Sequence, residues 1–449
     1  MSNTNPARGM RDFLPEQVRR RDHVIGVIRE VYEKYGFEPL ETPAAENLST
    51  LTNKYGEEGD QLMFKILERG EKIRKKIEEG KIERENDLAD LALRYDLTVP
   101  LARVIANYRH ELPRFFRRYQ IQPVWRADRP ARGRYREFYQ CDVDAIGSRS
   151  VVVEIDICEA VCDILEELGF EDYEIRVNHR SVLFGLISAS GIEKEKAGEA
   201  VVALDKLDKI GAEKVAEEMV GRGIDRESAE KLVGIVGETD SEDRLSSVAK
   251  IVANDGPASE GISNLKDLFA GTRAGRVKFD PSLARGLSYY TGVIMEAVLT
   301  DGDFSGSIGG GGRYDELIGM FGKEPIPAAG FSIGLERIIL IMEERNMFPK
   351  ELPNNSADVL VALWSMETLD KSMEVARIIR DGGIRAFLYP QPDKLAKQIK
   401  YADQIGARVI CILGESEIET EKVTIKNLAN AEQRAVSLDG LVSAIKELE

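Results

Sequence analysis

Two segments, Tyr119-Gln-Ile-Gln-Pro-Val-Trp125 and Phe138 to Ile146, alternate apolar and polar residues, and a Gly133-centred turn separates them. Period-two alternation sends successive side chains to opposite faces, so the pair predicts a long antiparallel hairpin with one face in a core. The hairpin carries unusual cargo. Residues 114–136 hold eight arginines and a single acid, Asp128, in a chain with 62 basic and 78 acidic side chains and a formal net charge of −16. Arginine grips phosphate oxygens in two places and stacks on flat rings, which lysine does not. Phe115, Phe116, Tyr119, Trp125 and Tyr135 supply such rings between the guanidinium groups. The pattern implies a polyphosphate carrying an aromatic base, or a nucleic acid end. The alternative is a solvated basic face, and the flanking strand alternation argues against it.

At 449 residues and 43% hydrophobic composition the chain is long enough for two or three domains. No apolar run approaches the roughly 20 residues of a membrane span, and the N-terminus lacks an apolar signal core, so a cytoplasmic protein without a membrane partner is expected. Cys158 and Cys162, four apart on an apolar helical stretch, share a face and read as core. None of the three histidines lies near a cysteine pair, so no structural zinc site is expected. An acidic chain can still bind RNA, because the local potential decides where phosphate docks.

Along the chain, Asp12-Phe-Leu-Pro15 opens a helix with an apolar stripe of Val18, Ile25, Ile28, Tyr32 and Tyr35, which Gly36 stops. Phe37 to Pro43 reads as extended, and the charged stretch from Glu68 to Asp87 as a solvated loop or hairpin. Leu91 to Thr98 has strand character, and a helix follows with Pro100 in its first turn. Val151 to Leu168 reads as a helix, Tyr173 to Asn178 as a strand. Residues 181–272 are rich in Glu, Lys and Ala with no aromatic between Phe184 and Phe269, the pattern of a small helical insertion. Strand character resumes at Val277 and runs through Val298. These segments predict an α+β domain on an antiparallel sheet, built from residues 1–180 and 273–345. Residues 346–356, with two prolines and no periodicity, are a linker. Strands at 357–363, 384–389 and 407–413 then alternate with helices at 367–381 and 394–405. That order predicts a C-terminal α/β domain over 357–449 with a mixed, mostly parallel sheet.

Several segments together resemble the class II aminoacyl-tRNA synthetases and, more narrowly, the histidyl-tRNA synthetases. The helix through Tyr35 and the strand ending at Pro43 resemble motif 1, a dimer-forming element. Val124-Trp-Arg126-Ala-Asp128-Arg129-Pro-Ala-Arg-Gly-Arg134-Tyr-Arg136-Glu-Phe138-Tyr-Gln140 resembles motif 2, and Gly330-Phe-Ser-Ile-Gly-Leu-Glu336-Arg337 resembles motif 3. Leu283-Ala-Arg285-Gly-Leu-Ser-Tyr289-Tyr290-Thr-Gly and Gly309-Gly-Gly-Gly-Arg313-Tyr314-Asp315 are similar to segments typical of the histidine enzymes, and Leu93-Arg-Tyr-Asp96-Leu-Thr98 to their amino-acid-binding strand. Ser288 stands where many members carry Asp, and Asp96 and Asp144 where some carry Glu. The likeness spans almost the whole chain.

The resemblance implies a ligase that activates L-histidine with ATP and passes it to the 3′-terminal adenosine of tRNA(His). Arg126 and Arg285 would hold the α-phosphate as catalytic groups. Arg337 and Phe138 would sandwich adenine, Asp128 would accept from its amino group, and Arg134 would assist the distal phosphates. Asp96, Thr98 and Gln140 would take the histidine ammonium; Asp144, Tyr290 and Tyr314, with Tyr289 beside them, would read the imidazole. Arg129, Arg132, Lys394 and Lys397 would face tRNA, the two lysines from a C-terminal anticodon-binding domain where, three apart on a helix, they share a face. A homodimer and Mg²⁺ on the triphosphate, with no assigned protein ligands, complete the expectation. Three readings compete. A non-catalytic regulatory relative in histidine biosynthesis would lack the C-terminal domain. A class II synthetase for glycine, threonine or proline is disfavoured by the segments around Arg285 and Arg313. A binding module without catalysis leaves the paired ATP and amino-acid residues unused. The glycine run 309–312, which by itself reads as a tight turn, is taken as letting backbone approach the substrate.

Overall fold

The computed structural model describes residues 4–52, 60–237, 244–284, 289–301, 306–322, 324–350, 352 and 355–448. Two compact units result, one of residues 1–14 and 20–348, the other of 15–19 and 349–449.

In chain order the first unit contains α1 (Pro15–Lys34, from Arg20 onward), β1 (Glu38–Pro39), β2 (Ala45–Asn47), β3 (Lys65–Leu67), α2 (Glu71–Glu78), β4 (Ala89–Leu93), α3 (Thr98–Tyr108), β5 (Phe116–Trp125), β6 (Glu137–Ile146), α4 (Val152–Glu167) and β7 (Tyr173–His179). After a helical segment at 180–271 come β8 (Val277–Phe279), β9 (Val293–Leu299), β10 (Ser307–Arg313), β11 (Ala328–Gly334) and α5 (Leu335–Glu344). Eight strands form one sheet in the order β1-β5-β6-β11-β10-β9-β7-β8, and β2, β4 and β3 form a smaller one. The large sheet is antiparallel except at its edges, where β1 runs with β5 and β8 with β7.

The predicted hairpin is its spine: β5 and β6 pair over ten positions, from Phe116 with Ile146 to Trp125 with Glu137. Pro123 is tolerated inside β5 because β1 reaches only Arg118 and Tyr119, so the missing N–H faces no ladder partner. One face of β6, Tyr139, Cys141, Val143 and Ala145, packs under α1 and α4 with Val24, Ile28, Val31 and Tyr32. Val24 and Val31 complete the stripe read from the sequence. The other face of β6 carries Phe138, Gln140, Asp142 and Asp144, a polar row that an antiparallel sheet tolerates only where something else uses it.

The stretch from Glu68 to Asp87, expected as a loop or hairpin, contains α2. It buries no side chain. Lys76 Nζ donates to Glu68 Oε1 and to Asp87 O, both at 2.9 Å, and these tethers fix a helix that has no apolar stripe to betray it. The segment 180–271 carries only helices among its described residues, and their apolar sides enter the same core as the large sheet. His179 caps the first of them, accepting from Ser181 N. Burial, with Arg313 nearby, pushes this imidazole down to about 4, so the cap is neutral. All four cysteines are free and buried, as the core reading required. No helix among the described residues is long and apolar enough to cross a membrane.

The second unit contains β12 (Val359–Val361), α6 (Leu369–Asp381), β13 (Ala386–Leu388), α7 (Leu395–Gln404), β14 (Val409–Ile412), β15 (Lys422–Asn427), β16 (Gln433–Ser437) and α8 (Leu441–Lys446). Its sheet runs β13-β12-β14-β15-β16, parallel as far as β14 and antiparallel beyond. Val359, Val361, Val409 and Cys411 face one core, Leu360 and Ile410 another, so the parallel strands are covered on both faces.

Candidate active site

The polar side of the large sheet opens into a cleft of about 410 Å³. Its floor follows from register. Asp142 of β6 lies between Gln120 of β5 and Ser332 of β11, Asp144 lies between Arg118 and Gly330, and Gly310 and Gly312 of β10 face Ser332 and Gly330. The glycines are therefore strand, not turn. A Cβ on Gly311 would stand 2.1 Å from the Gly330 carbonyl oxygen, and one on Gly330 would stand 1.9 Å from Asp144 Oδ1. These positions lack side chains because backbone and a carboxylate occupy the space; Gly309 and Gly310 line the cleft itself.

Arg126 sits at the mouth of β6. Its Nε donates to Tyr95 O at 3.1 Å and its Nη2 to Gln140 Oε1 at 3.4 Å, while the guanidinium lies 4.4 Å from the Tyr95 ring centroid and 5.2 Å from that of Phe138. Among the described residues no carboxylate pairs with it, so its charge is aimed and unspent. Arg134 spends its own on Asp128, with Nη2 2.8 Å and Nε 3.1 Å from the same oxygen. Arg337, on the first turn of α5, donates to Ser307 O.

Asp96 and Thr98 enter from the turn between β4 and α3. Buried Arg94 holds that turn to the hairpin through Thr42 O (2.6 Å), Gln122 Oε1 (2.8 Å) and Pro123 O (2.9 Å). Asp96 Oδ1 accepts from Val99 N at 3.0 Å, capping α3. Gln140 Nε2 donates to Ser332 Oγ at 2.9 Å.

Ten of the sequence-predicted residues thus line one cleft: Asp96, Thr98 and Gln140 at one end, Tyr289 and Tyr290 beside them, and Arg126, Asp128, Arg134, Phe138 and Arg337 at the other. Asp144 and Tyr314 do not line it. They lie behind its wall, 3% and 2% exposed, hydrogen-bonded to each other, with Arg118 Nη2 2.8 Å from Asp144 Oδ2. The Tyr314 ring packs against Tyr289, 5.9 Å away, and Tyr289 against Tyr290, 5.2 Å away. Burial first, and then the carboxylates of Asp144, Asp142 and Asp96, push the Tyr290 hydroxyl well up, which keeps it a donor. Arg285 and Ser288 lie outside the described residues. Arg129 is exposed, Arg132 pairs with Glu344, and Lys397 pairs with Asp393 at 3.0 Å. Lys394 is exposed and precedes α7 as its cap rather than sharing its face.

Sequence reasoning missed Glu336, Ser307, Ser332 and Asp142. Glu336 accepts from Tyr139 N at 3.1 and 3.2 Å, and burial pushes its carboxyl up to about 6. Ser307 and Ser332 join only through sheet pairing, which no local pattern announces. Asp142 was legible: it stands between Gln140 and Asp144 on one face of a strand.

An antiparallel sheet, a hairpin presenting an arginine into the cleft, and a strand running through Gly334 into a helix that begins Leu-Glu-Arg define a class II aminoacyl-tRNA synthetase. The family model for histidyl-tRNA synthetase matches residues 9–338, and that for an anticodon binding domain matches 358–448. Histidine–tRNA ligase of Christiangramia forsetii is 39% identical, covering 98% of both chains, and that of Cytophaga hutchinsonii is 40% identical, covering 97% of this chain and 98% of the relative. A crystal structure of histidyl-tRNA synthetase from Nostoc sp. PCC 7120 superposes with a TM-score of 0.82 at 31% identity, covering 100% of each chain. The chain belongs to the histidyl-tRNA synthetase family.

Proposed function

We propose that this cleft carries out both halves of histidine–tRNA ligation, with ATP and histidine meeting at Arg126. The observation that carries this is the place of that guanidinium, bonded to Gln140 of the amino-acid end and lying against the Phe138 ring of the nucleotide end. A histidine carboxylate and an ATP α-phosphate held at those two ends converge on it. The carboxylate oxygen attacks the α-phosphorus, the bond from that phosphorus to the α,β-bridging oxygen breaks, and pyrophosphate leaves with the electron pair. A hydroxyl of the tRNA's 3′-terminal adenosine then attacks the histidyl carbonyl carbon and AMP departs. Both substrates of the first step are anionic, so positioning and fixed positive charge supply most of the acceleration.

Arg126 steadies the α-phosphate, joined by Arg285 as the resemblance implies. Phe138 and Arg337 take the two faces of adenine. Asp128 accepts from its amino group, which requires Arg134 to swing from Asp128 toward the distal phosphates. Mg²⁺ arrives with the triphosphate, as part of that substrate, since about four negative charges need screening. Asp96, Thr98 and Gln140 take the ammonium. Tyr290 reads the ring nitrogens, with the Asp144–Tyr314 pair behind the wall holding its surroundings through Tyr289, because a site built around hydrogen bonds penalises an isostere that lacks them. Pyrophosphate exchange with each amino acid in turn tests the reading: histidine alone should support it. Asp144→Ala should weaken histidine in that assay far more than ATP, and equal losses for both would remove Asp144 from the pocket.

Residues 1–180 and 273–345 serve as the catalytic domain, 181–272 as an insertion, 346–356 as a linker and 357–449 as the anticodon-binding domain. A cytoplasmic homodimer completes the reading. Arg129 and Arg132 face the acceptor end of tRNA(His), with Arg132 leaving Glu344 to do so, and Lys394 and Lys397 face the anticodon stem-loop. Single-stranded RNA loops are bound by charge and stacking that a separate domain supplies. Truncation after about residue 350 should therefore leave histidine-dependent pyrophosphate exchange largely intact and cut aminoacylation of tRNA strongly. Equal charging by truncated and full-length protein would give the C-terminal domain another purpose.

A further inference from the structure

Three acids crowd round one arginine at the floor of the cleft, Asp96 lining it and Asp142 and Asp144 set deeper. Asp142 and Asp144 share a face of β6, and Asp96 arrives from the turn before α3; each is only 2–3% exposed, and Arg118 among them is fully buried. Asp144 has Tyr314 and Arg118, Asp96 has Val99 N, and Asp142 has Ser332. The other oxygen of Asp142, Oδ1, is buried with no hydrogen-bond partner among the described residues. A surplus of about two negative charges in a site shut off from water is costly unless a cation or protons offset it.

The neighbours of Asp142 define what it responds to. Burial pushes its carboxyl up to about 7; Arg118 of β5 pulls against that, Asp144 and Asp96 add to it, and Ser332 of β11 restrains it. Tyr290 faces it from the cleft, and Tyr32 and Cys141 from across the sheet, all three pushed up by burial first and so neutral. The cation that reaches this place is the substrate ammonium, bound by Asp96, Thr98 and Gln140 directly above.

We propose that Asp142 is the proton-linked counter-ion of the amino-acid site, neutral before histidine binds and surrendering its proton to solvent as the ammonium docks. The proposal rests on the cleft being the histidine site. Deprotonation supplies the second negative charge that the ammonium needs, at a position two residues along β6 from Gln140 and directly beside Ser332. Binding and ionisation then drive each other by linkage.

The test measures histidine dissociation from full-length enzyme between pH 6 and 8, together with proton release by calorimetry in buffers of different ionisation enthalpy. Wild type should gain roughly tenfold in affinity across that range beyond the change seen in Asp142→Asn, and at pH 7 should release about half a proton more. Titration of the substrate's own imidazole is common to both proteins and cancels. Equal pH slopes and equal proton counts overturn the assignment. Should Asp142→Asn fail to fold, infrared difference spectra of wild type decide: a protonated-carboxyl band must bleach when histidine is added at pH 6.5, and its persistence overturns the proposal. Failure of histidine-dependent pyrophosphate exchange would instead defeat the histidine-site reading itself, so the two failures are distinguishable.

Discussion

Arg126→Ala lowers the rate of histidyl-adenylate formation about 10²–10³-fold, a barrier increase of about 3–4 kcal/mol, while the KM for ATP changes far less. The asymmetry follows from where the guanidinium is held. Tyr95 O, Gln140 and the two flanking rings fix it before any substrate arrives, and among the described residues no acid neutralises it. Its charge is therefore available to the phosphorus centre as negative charge develops there, more than to ground-state ATP, which in the proposed function has Arg337 and Arg134 as further anchors. Arg126→Lys restores little, since a lysine offers no planar fork to lie between Tyr95 and Phe138. Single-turnover rates at saturating ATP and histidine check this. A variant that binds ATP poorly yet forms adenylate at the wild-type rate would make Arg126 an anchor and nothing more.

Glu154→Ala destabilises the protein by about 3 kcal/mol, the largest stability effect expected of any single polar truncation here. Arg313 Nε and Nη2 reach the two Glu154 oxygens at 2.6 and 2.7 Å, with the carboxylate 1% and the arginine 9% exposed. Burial pushes the Glu154 carboxyl up even against this pairing. Removing the acid leaves a buried guanidinium with Asp315 at 3.2 Å and the Ser148 and Ser150 carbonyls, too little to replace a two-pronged carboxylate. Denaturant unfolding is the measurement. A loss under about 1 kcal/mol would mean the site relaxes to admit water, and Glu154→Gln, which keeps an acceptor, should fall between.

The hairpin was legible because alternation with period two has one structural meaning, and the observed strands extend the predicted ones by only a few residues, to Phe116 and Glu137. The candidate residues were legible as a set because their motifs name them, and ten of them share a cleft. Other features were not. Gly309 to Gly312 carry no side chains, so neither propensity nor periodicity marks them as strand; Cβ collisions with Phe331, Gly330 and Val293 explain Gly309, Gly311 and Gly312, while Gly310 has room for one. Helix α2 shows no stripe because it buries nothing. Asp144 and Tyr314 were read as touching substrate, yet their mutual hydrogen bond and Arg118 draw them behind the wall. Ser307 belongs to the site through the pairing of distant strands, and Glu336 through a helix-to-strand hydrogen bond from Tyr139 N, which a linear pattern does not encode. Arg285 falls outside the described residues.

Strand β10 has a consequence for how the sheet assembles. A run of glycines has almost nothing to distinguish one alignment with its neighbours from the next, and such strands are prone to slippage. A shift by one position would cost Gly309 to Gly312 little through side-chain packing. It would carry Arg313, the last residue of the strand, to the opposite face and away from Glu154, stranding two charges in the interior at once. The ion pair thus works as an alignment key at the end of a featureless tooth row. It penalises each mis-set arrangement by far more than it stabilises the right one, and the substrate cleft inherits its geometry from that lock.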